Sequence, residues 1–145
     1  LAEVPELTLN RCIEERVREF RPDIVYTHHV GDINSDHRAV ARATQIACRP
    51  SGPWTPRRLL AFETPSSTEW GGAALGLAPF LPTVFVEVGL SRKMQALALY
   101  RTEMREPPHP RSLDAIRTRA AFWGSVVGRP AVEPFILVRE IVARC

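Results

Sequence analysis

Six side chains able to bind a metal ion or move a proton fall between positions 28 and 37: His28, His29, Asp32, Asn34, Asp36 and His37. They belong to the run THHVGDINSDHR, residues 27–38, with PDIVY ahead of it and AVARATQIAC behind it. A neutral imidazole offers a lone pair to zinc, and a carboxylate can orient such a ring or hold a proton. Capping of a following helix would account for Ser, Asp and Asn here, but it has no use for imidazole. The composition therefore points to chemistry rather than to a solvated turn.

His37 is the leading metal ligand. It falls in the first turn of the helix expected after Ser35, where the positive end of the helix dipole favours the neutral ring that zinc requires. Asp36 beside it can orient a catalytic group or hold a proton. His28 and His29 alternate at the end of a strand, so one faces the site and the other packs away; His29 is taken as the catalytic one. A calcium loop is excluded. Asp32-x-Asn34-x-Asp36 matches its first three ligands, but the sixth position, which needs Gly, is His37, and the acidic twelfth is Ala43. A catalytic zinc wants three protein ligands and an open water position. No H-E-x-x-H occurs, and the remaining histidine, His109, lies far along the chain in a proline-rich loop. These residues supply one good ligand.

The elements that must position the turn are legible in outline. Leu9, Ile13, Val17 and Phe20 fall at helical spacing, and Pro22 ends that helix. DIVYTH reads as a buried strand, and Ser35 reads as the N-cap of a helix over residues 36–48. RRLLAF and PTVFVEV read as two further strands, SRKMQALALYRTEM and RSLDAIRTRAAFWGSVVG as helices, the latter ended by glycine, and EPFILVREI as a last extended segment. Strand and helix alternate, which predicts an α/β layered domain with a mainly parallel sheet. In such sheets the ligand site lies beyond the carboxyl ends of the strands, where THHVGDINSDHR falls.

At 145 residues the chain fits one domain, and a net charge of +3 without any block of like charge argues against nucleic acid as a partner. Cys12, Cys48 and Cys145 are odd in number and show no C-x-x-C spacing, which suits a reducing cytoplasm. The uncharged stretch over residues 70–86 is interrupted by Pro79 and Pro82 and followed by Glu87, so it reads as loop and strand, not as a membrane span. The chain opens without Met and without a strand of its own, and is expected to be a processed or truncated piece.

Three stretches in order, PDIVYTHHVGDINSDHRAVARAT, FETPSSTEW and KMQALALYRTEMREPPHPRS, resemble the LmbE-like (PIG-L) N-acetylglucosaminyl deacetylase family, over most of the chain. The resemblance implies a Rossmann-like α/β fold and zinc-dependent removal of an N-acetyl group from an amino sugar or sugar conjugate. It maps the family's third zinc ligand onto His37, and onto Asp36 the aspartate that supports a neighbouring acid or oxyanion stabiliser. Many members carry histidine where this chain has Asn34, so the general acid does not carry over directly. The family's A-H-P-D-D motif, source of two zinc ligands and the general base, is absent from these residues. The resemblance thus implies a domain lacking its first strand, with the other ligands supplied from ahead of Leu1.

The expected catalytic residues are Asp36, Asn34 and His29, with His37 on one zinc ion. Glu63 and Glu69 flank a hydroxyl-bearing run that ends at Trp70, a composition suited to sugar hydroxyls and a sugar face. Substrate contacts are accordingly expected from Asp32, Glu63, Ser66, Ser67 and Glu69. The turn PPHPRS either caps the next helix or brings His109 and Arg111 to the pocket or to a neighbouring subunit; both are counted with the substrate contacts. The partners expected are an N-acetyl amino sugar or glycoconjugate and a second copy of the chain. The alternative function is a sugar-binding module of the same fold that has lost catalysis.

Overall fold

The computed structural model describes residues 4–51 and 54–142; Cys145 lies outside them. Its order is α1 (Glu6–Phe20), β1 (Ile24–His28), α2 (Ser35–Ala47), β2 (Arg58–Phe62), single 3-10 turns at Thr68–Trp70 and Ala73–Leu75, β3 (Val84–Glu87), α3 (Leu90–Leu97), α4 (Leu113–Val126) and β4 (Val132–Glu140). The fold is mixed α/β, with a four-stranded sheet in the order β1-β2-β4-β3. By internal contacts the chain divides into two units, residues 1–81 with 136–145, and Pro82–Phe135.

In the first unit β1 and β2 pair in parallel, Ile24 opposite Arg58 through His28 opposite Phe62. Leu59, Leu60 and Ala61 of β2 are all buried, as befits a strand covered on both faces. Val17 of α1 meets Cys48 and Leu59, with Ile13, Val25 and Ala47 packed around them. This is the core that the Leu9–Ile13–Val17 spacing anticipates. Arg21, before Pro22, takes a left-handed conformation at φ 46°, and its N–H closes α1 on the Val17 carbonyl at 3.0 Å. Ala41 and Ala43 of α2 are buried, and their small side chains let that helix lie close to its neighbours. Arg139 donates to the Cys48 carbonyl, and Arg58 Nε lies 2.8 Å from Glu140, tying the end of β4 to this unit. β1 is an edge strand and leaves Ile24 and Tyr26 exposed.

In the second unit β3 and β4 pair antiparallel, Val84 opposite Phe135 and Glu87 opposite Val132. The sheet is thus mixed where a mainly parallel one is expected. An antiparallel edge strand beside parallel ones is common, and the apolar run of PTVFVEV carries no information on direction. α3 stops at Leu97, short of the expected helix over residues 91–104; Leu99 and Tyr100 beyond it are exposed and give a longer helix no apolar face to bury. α4 begins on Ser112, whose hydroxyl accepts from Ala115 N at 3.2 Å, and is followed by Gly128 at φ 68°. Among the described residues no helix is long and apolar enough to cross a membrane.

Candidate functional site

The turn between β1 and α2 is organised around a buried carboxylate. Asp32 is fully buried. Its Oδ1 accepts from the Ser67 hydroxyl and, at 2.9 Å, from Asn34 N. Its Oδ2 accepts from Thr68 Oγ1 at 2.9 Å and lies 3.2 Å from His37 Nδ1. Burial alone would push this carboxyl's pKa up, but the bonds from Ser67, the Asn34 backbone, His37 and Thr68 outweigh it and hold it below the usual carboxylate range. Asp32 and Ser67 were expected on the substrate and are instead directed inward. A carboxylate taken out of water must recruit donors, and the hydroxyls of residues 67 and 68 are the ones that serve.

The loop carrying those hydroxyls, residues 63–70, follows the end of β2. Thr68 Oγ1 also accepts from Thr64 N at 2.8 Å, and Ser67 N bonds the Thr64 carbonyl at 3.1 Å. Ser66 sits in the left-handed region at φ 67°, an unfavourable conformation for serine. Glu69 holds the turn there, its carboxylate accepting from Ser66 N at 2.8 Å and Ser67 N at 3.1 Å. Glu69 therefore closes its own loop. Ser66 and Glu63 are half-buried beside it, and Trp70 is exposed.

The helix N-cap is Asn34, one residue earlier than expected: its Oδ1 accepts from Asp36 N at 2.9 Å. Ser35 instead opens the helix. Asn34 Nδ2 lies 3.5 Å from His37 Nε2. Arg38 Nη1 braces the turn from behind, donating to the Asp32 carbonyl at 2.7 Å and the Ile33 carbonyl at 2.6 Å. Asp36, half-buried in the first turn of α2, borders an open cavity of about 490 Å³ with Val30, Ser35, Arg38, Arg42 and Glu6.

His28, not His29, shares a face with His37. The two rings stack with centroids 4.3 Å apart, and His28 also meets Phe62 at 4.8 Å. Its Nδ1 is buried without a hydrogen-bond partner. Burial foremost, then the neighbouring His37, lower its pKa, and Asp32 only partly opposes them. His29 is buried and places Nε2 2.8 Å from the Ala78 carbonyl, with Phe80 edge-on to its ring. A carbonyl can only accept, so His29 donates, and its role is to fasten residues 78–80 to the turn. The strand alternation anticipates this division of labour but not which ring takes which side. Gly31 belongs to the same joint: a Cβ there would stand 1.9 Å from the Ala78 oxygen.

His109 and Arg111 lie in the second unit with local partners. His109 Nδ1 accepts from Arg111 N at 3.0 Å, and Arg111 Nη1 lies 2.7 Å from Glu103. The next helix is capped by Ser112, whose hydroxyl accepts from Ala115 N.

Ser67, His37 and Asp32 are close enough to suggest a nucleophilic triad, but the connectivity is wrong. Serine activation needs the hydroxyl and the carboxylate on opposite ring nitrogens. Here Ser67 Oγ, at 3.5 Å, and Asp32 both face Nδ1, and the hydroxyl donates to the carboxylate. The His37 ring is instead backed by a carboxylate on one edge, an arrangement also seen around metal-binding histidines. Among the described residues no group of three His, Cys, Asp or Glu side chains could hold a metal ion. Thr68, Arg38 and His28 complete this arrangement and were not selected from the sequence. The signal for His28 was its alternation with His29 at the strand end, where the choice fell on His29.

No protein-family model matches the chain, and no curated protein matches it. Among solved structures it is similar to a conserved protein of Thermus thermophilus, TT1542, at 22% identity and a TM-score of 0.71, over 98% of this chain. It is also similar to GalB, the 4-carboxy-2-hydroxymuconate hydratase of Pseudomonas putida, at 18% identity and a TM-score of 0.66, over 99% of this chain. The chain spans 62% of the length of each. At these identities the likeness is one of fold.

Proposed function

We propose that the chain is part of a zinc-dependent hydrolase that removes an N-acetyl group from an amino sugar or sugar conjugate, built on a Rossmann-like layered fold. The observation that carries this reading is the environment of His37, a ring at the start of α2 with the buried Asp32 carboxylate at 3.2 Å behind its Nδ1. The resemblance of residues 22–44, 62–70 and 93–112 to LmbE-like deacetylases supplies the reaction class. Zinc, when bound, would polarise the acetyl carbonyl and bring the pKa of bound water towards neutrality.

His37 would hold that ion through one nitrogen, with the other ligands and the general base coming from residues outside those described. Asn34 offers an amide N–H, which can steady an oxyanion but cannot surrender a proton. A proton for the departing amine must then come from a neighbouring group. His29 is spent on Ala78, and His28, its pKa lowered by burial and by His37, is poorly suited to carry that proton, so the donor is expected from the residues that would complete the site. Asp36 would orient or charge-stabilise such a group from the first turn of α2.

The test uses the full-length gene product with zinc supplied. Release of free amine from N-acetylglucosamine conjugates, with bound zinc lost on His37→Ala, is the expected result. The panel should include 4-carboxy-2-hydroxymuconate, the substrate named for the hydratase of similar fold. Hydration of that compound with no amine released from any N-acetyl sugar would overturn the reading in favour of a hydratase.

A further inference from the structure

Both ring nitrogens of His37 have a neighbour, and the two neighbours make compatible demands. At Nδ1 stands Asp32 Oδ2, 3.2 Å away. An ionised carboxylate only accepts, so a lone pair on Nδ1 would face a lone pair on oxygen, and that edge must carry the hydrogen. At Nε2 stands Asn34 Nδ2, 3.5 Å away. The Asn34 amide is not free to turn over, because its Oδ1 is committed to Asp36 N at 2.9 Å as the helix cap. An NH2 group only donates, so the ring edge it meets must present a lone pair.

We infer that Asp32 and Asn34 are positioning residues that together hold His37 in one tautomer, with the hydrogen on Nδ1 and the lone pair on Nε2. Asp32 is suited to this because the rest of its capacity is taken. Ser67 Oγ and Asn34 N occupy Oδ1, and Thr68 Oγ1 occupies Oδ2 beside His37, so each oxygen serves two donors. A carboxylate so filled cannot rotate towards His37's other edge or reach a ligand. The 67–68 hydroxyls thereby act on His37 through Asp32, which gives the FETPSSTEW loop a part in the site without touching substrate. That a metal ion would take the Nε2 lone pair in place of the Asn34 N–H rests on the deacetylase reading; the tautomer of the metal-free ring does not.

The experiment is long-range proton–nitrogen correlation NMR on the nitrogen-15-labelled full-length protein, free of metal and substrate, at a pH where the ring is neutral. The expected spectrum gives His37 Nδ1 a pyrrole-type and Nε2 a pyridine-type nitrogen shift. Asp32→Asn should move His37 towards the opposite tautomer or a mixture, since the new amide can turn an N–H towards Nδ1. Should that variant fail to fold, Asn34→Ser keeps a capping oxygen while removing the amide from Nε2, and should loosen the preference without abolishing it. A wild-type spectrum with the hydrogen on Nε2 overturns the inference before any variant is made, and so does a tautomer unmoved by Asp32→Asn in a folded protein. Since no substrate and no zinc enter the measurement, a failed deacetylase assay leaves its result standing.

Discussion

The imidazole of His28 lies on the imidazole of His37, centroids 4.3 Å apart and planes 19° from parallel. One ring closes β1 and the other stands in the first turn of α2, so the stack spans the turn that holds Asp32. Two rings at this distance resist a second positive charge. Asp32 has its contacts with His37, while the buried His28 Nδ1 has no hydrogen-bond partner. Burial and the neighbouring His37 lower the pKa of His28.

The first prediction is a loss of stability in mild acid that belongs to His28. Its pKa is lowered in the folded state from an ordinary value of 6.5. The unfolded chain then binds the proton more readily, so the stabilising contribution is present above the ordinary value and is lost as pH falls below it towards the folded one. Asp32 is also lowered, from 3.8, so its contribution fades only further down, below the ordinary carboxylate value. Denaturant midpoints across this range, with chelator present, should fall in two stages. His28→Phe should remove the upper stage and leave the lower one; an unchanged upper stage would assign it elsewhere.

His37→Ala in the full-length protein should abolish turnover and sharply lower bound zinc. The Asp32 carboxylate would lose one donor but keep Ser67, Thr68 and the Asn34 amide, so the fold should survive. Metal content by elemental analysis, read beside a folded-state signal, decides the matter. Stoichiometric zinc with normal turnover would remove His37 from the site.

Asp36→Asn should keep the metal and reduce turnover, by roughly ten- to a hundredfold for a residue that supports a reacting group. Asp36 stands next to His37 in the first turn of α2 and lines the open cavity there. The comparison to make is zinc content against kcat in the same preparation. Equal loss of both would make Asp36 a ligand or a folding residue.

What could be read from the chain alone was whatever local pattern controls. The Leu9–Ile13–Val17 spacing marks α1, the Pro22 break marks its end, and the crowding of residues 28–37 marks the turn gathered around Asp32. The direction of β3 against β4 was hidden, because an apolar strand looks the same whichever way its partner runs. The choice between His28 and His29 depended on Ala78 and Phe80, some fifty positions away, which no local pattern couples to β1. Asp32 misled for a related reason. A carboxylate in a polar turn reads as exposed until the hydroxyls of Ser67 and Thr68 are known to cover it. Glu69 shows the same limit, and its consequence can be measured.

Composition alone makes Glu69 a sugar ligand, whose loss should raise KM. Its two bonds to the Ser66 and Ser67 amides make it the clamp on a serine held at φ 67°. On that geometry Glu69→Ala should lower stability by about 1 kcal/mol, the typical net contribution of such bonds near the surface. Glu69→Gln should recover part of the loss, since its amide oxygen still accepts from one of the two N–H groups. The denaturant midpoint of each variant and KM across several N-acetyl sugars separate the two roles. A midpoint that drops in the alanine variant and partly returns in the glutamine variant, with KM little changed, supports the clamp. An unaltered midpoint with a raised KM would return Glu69 to the substrate.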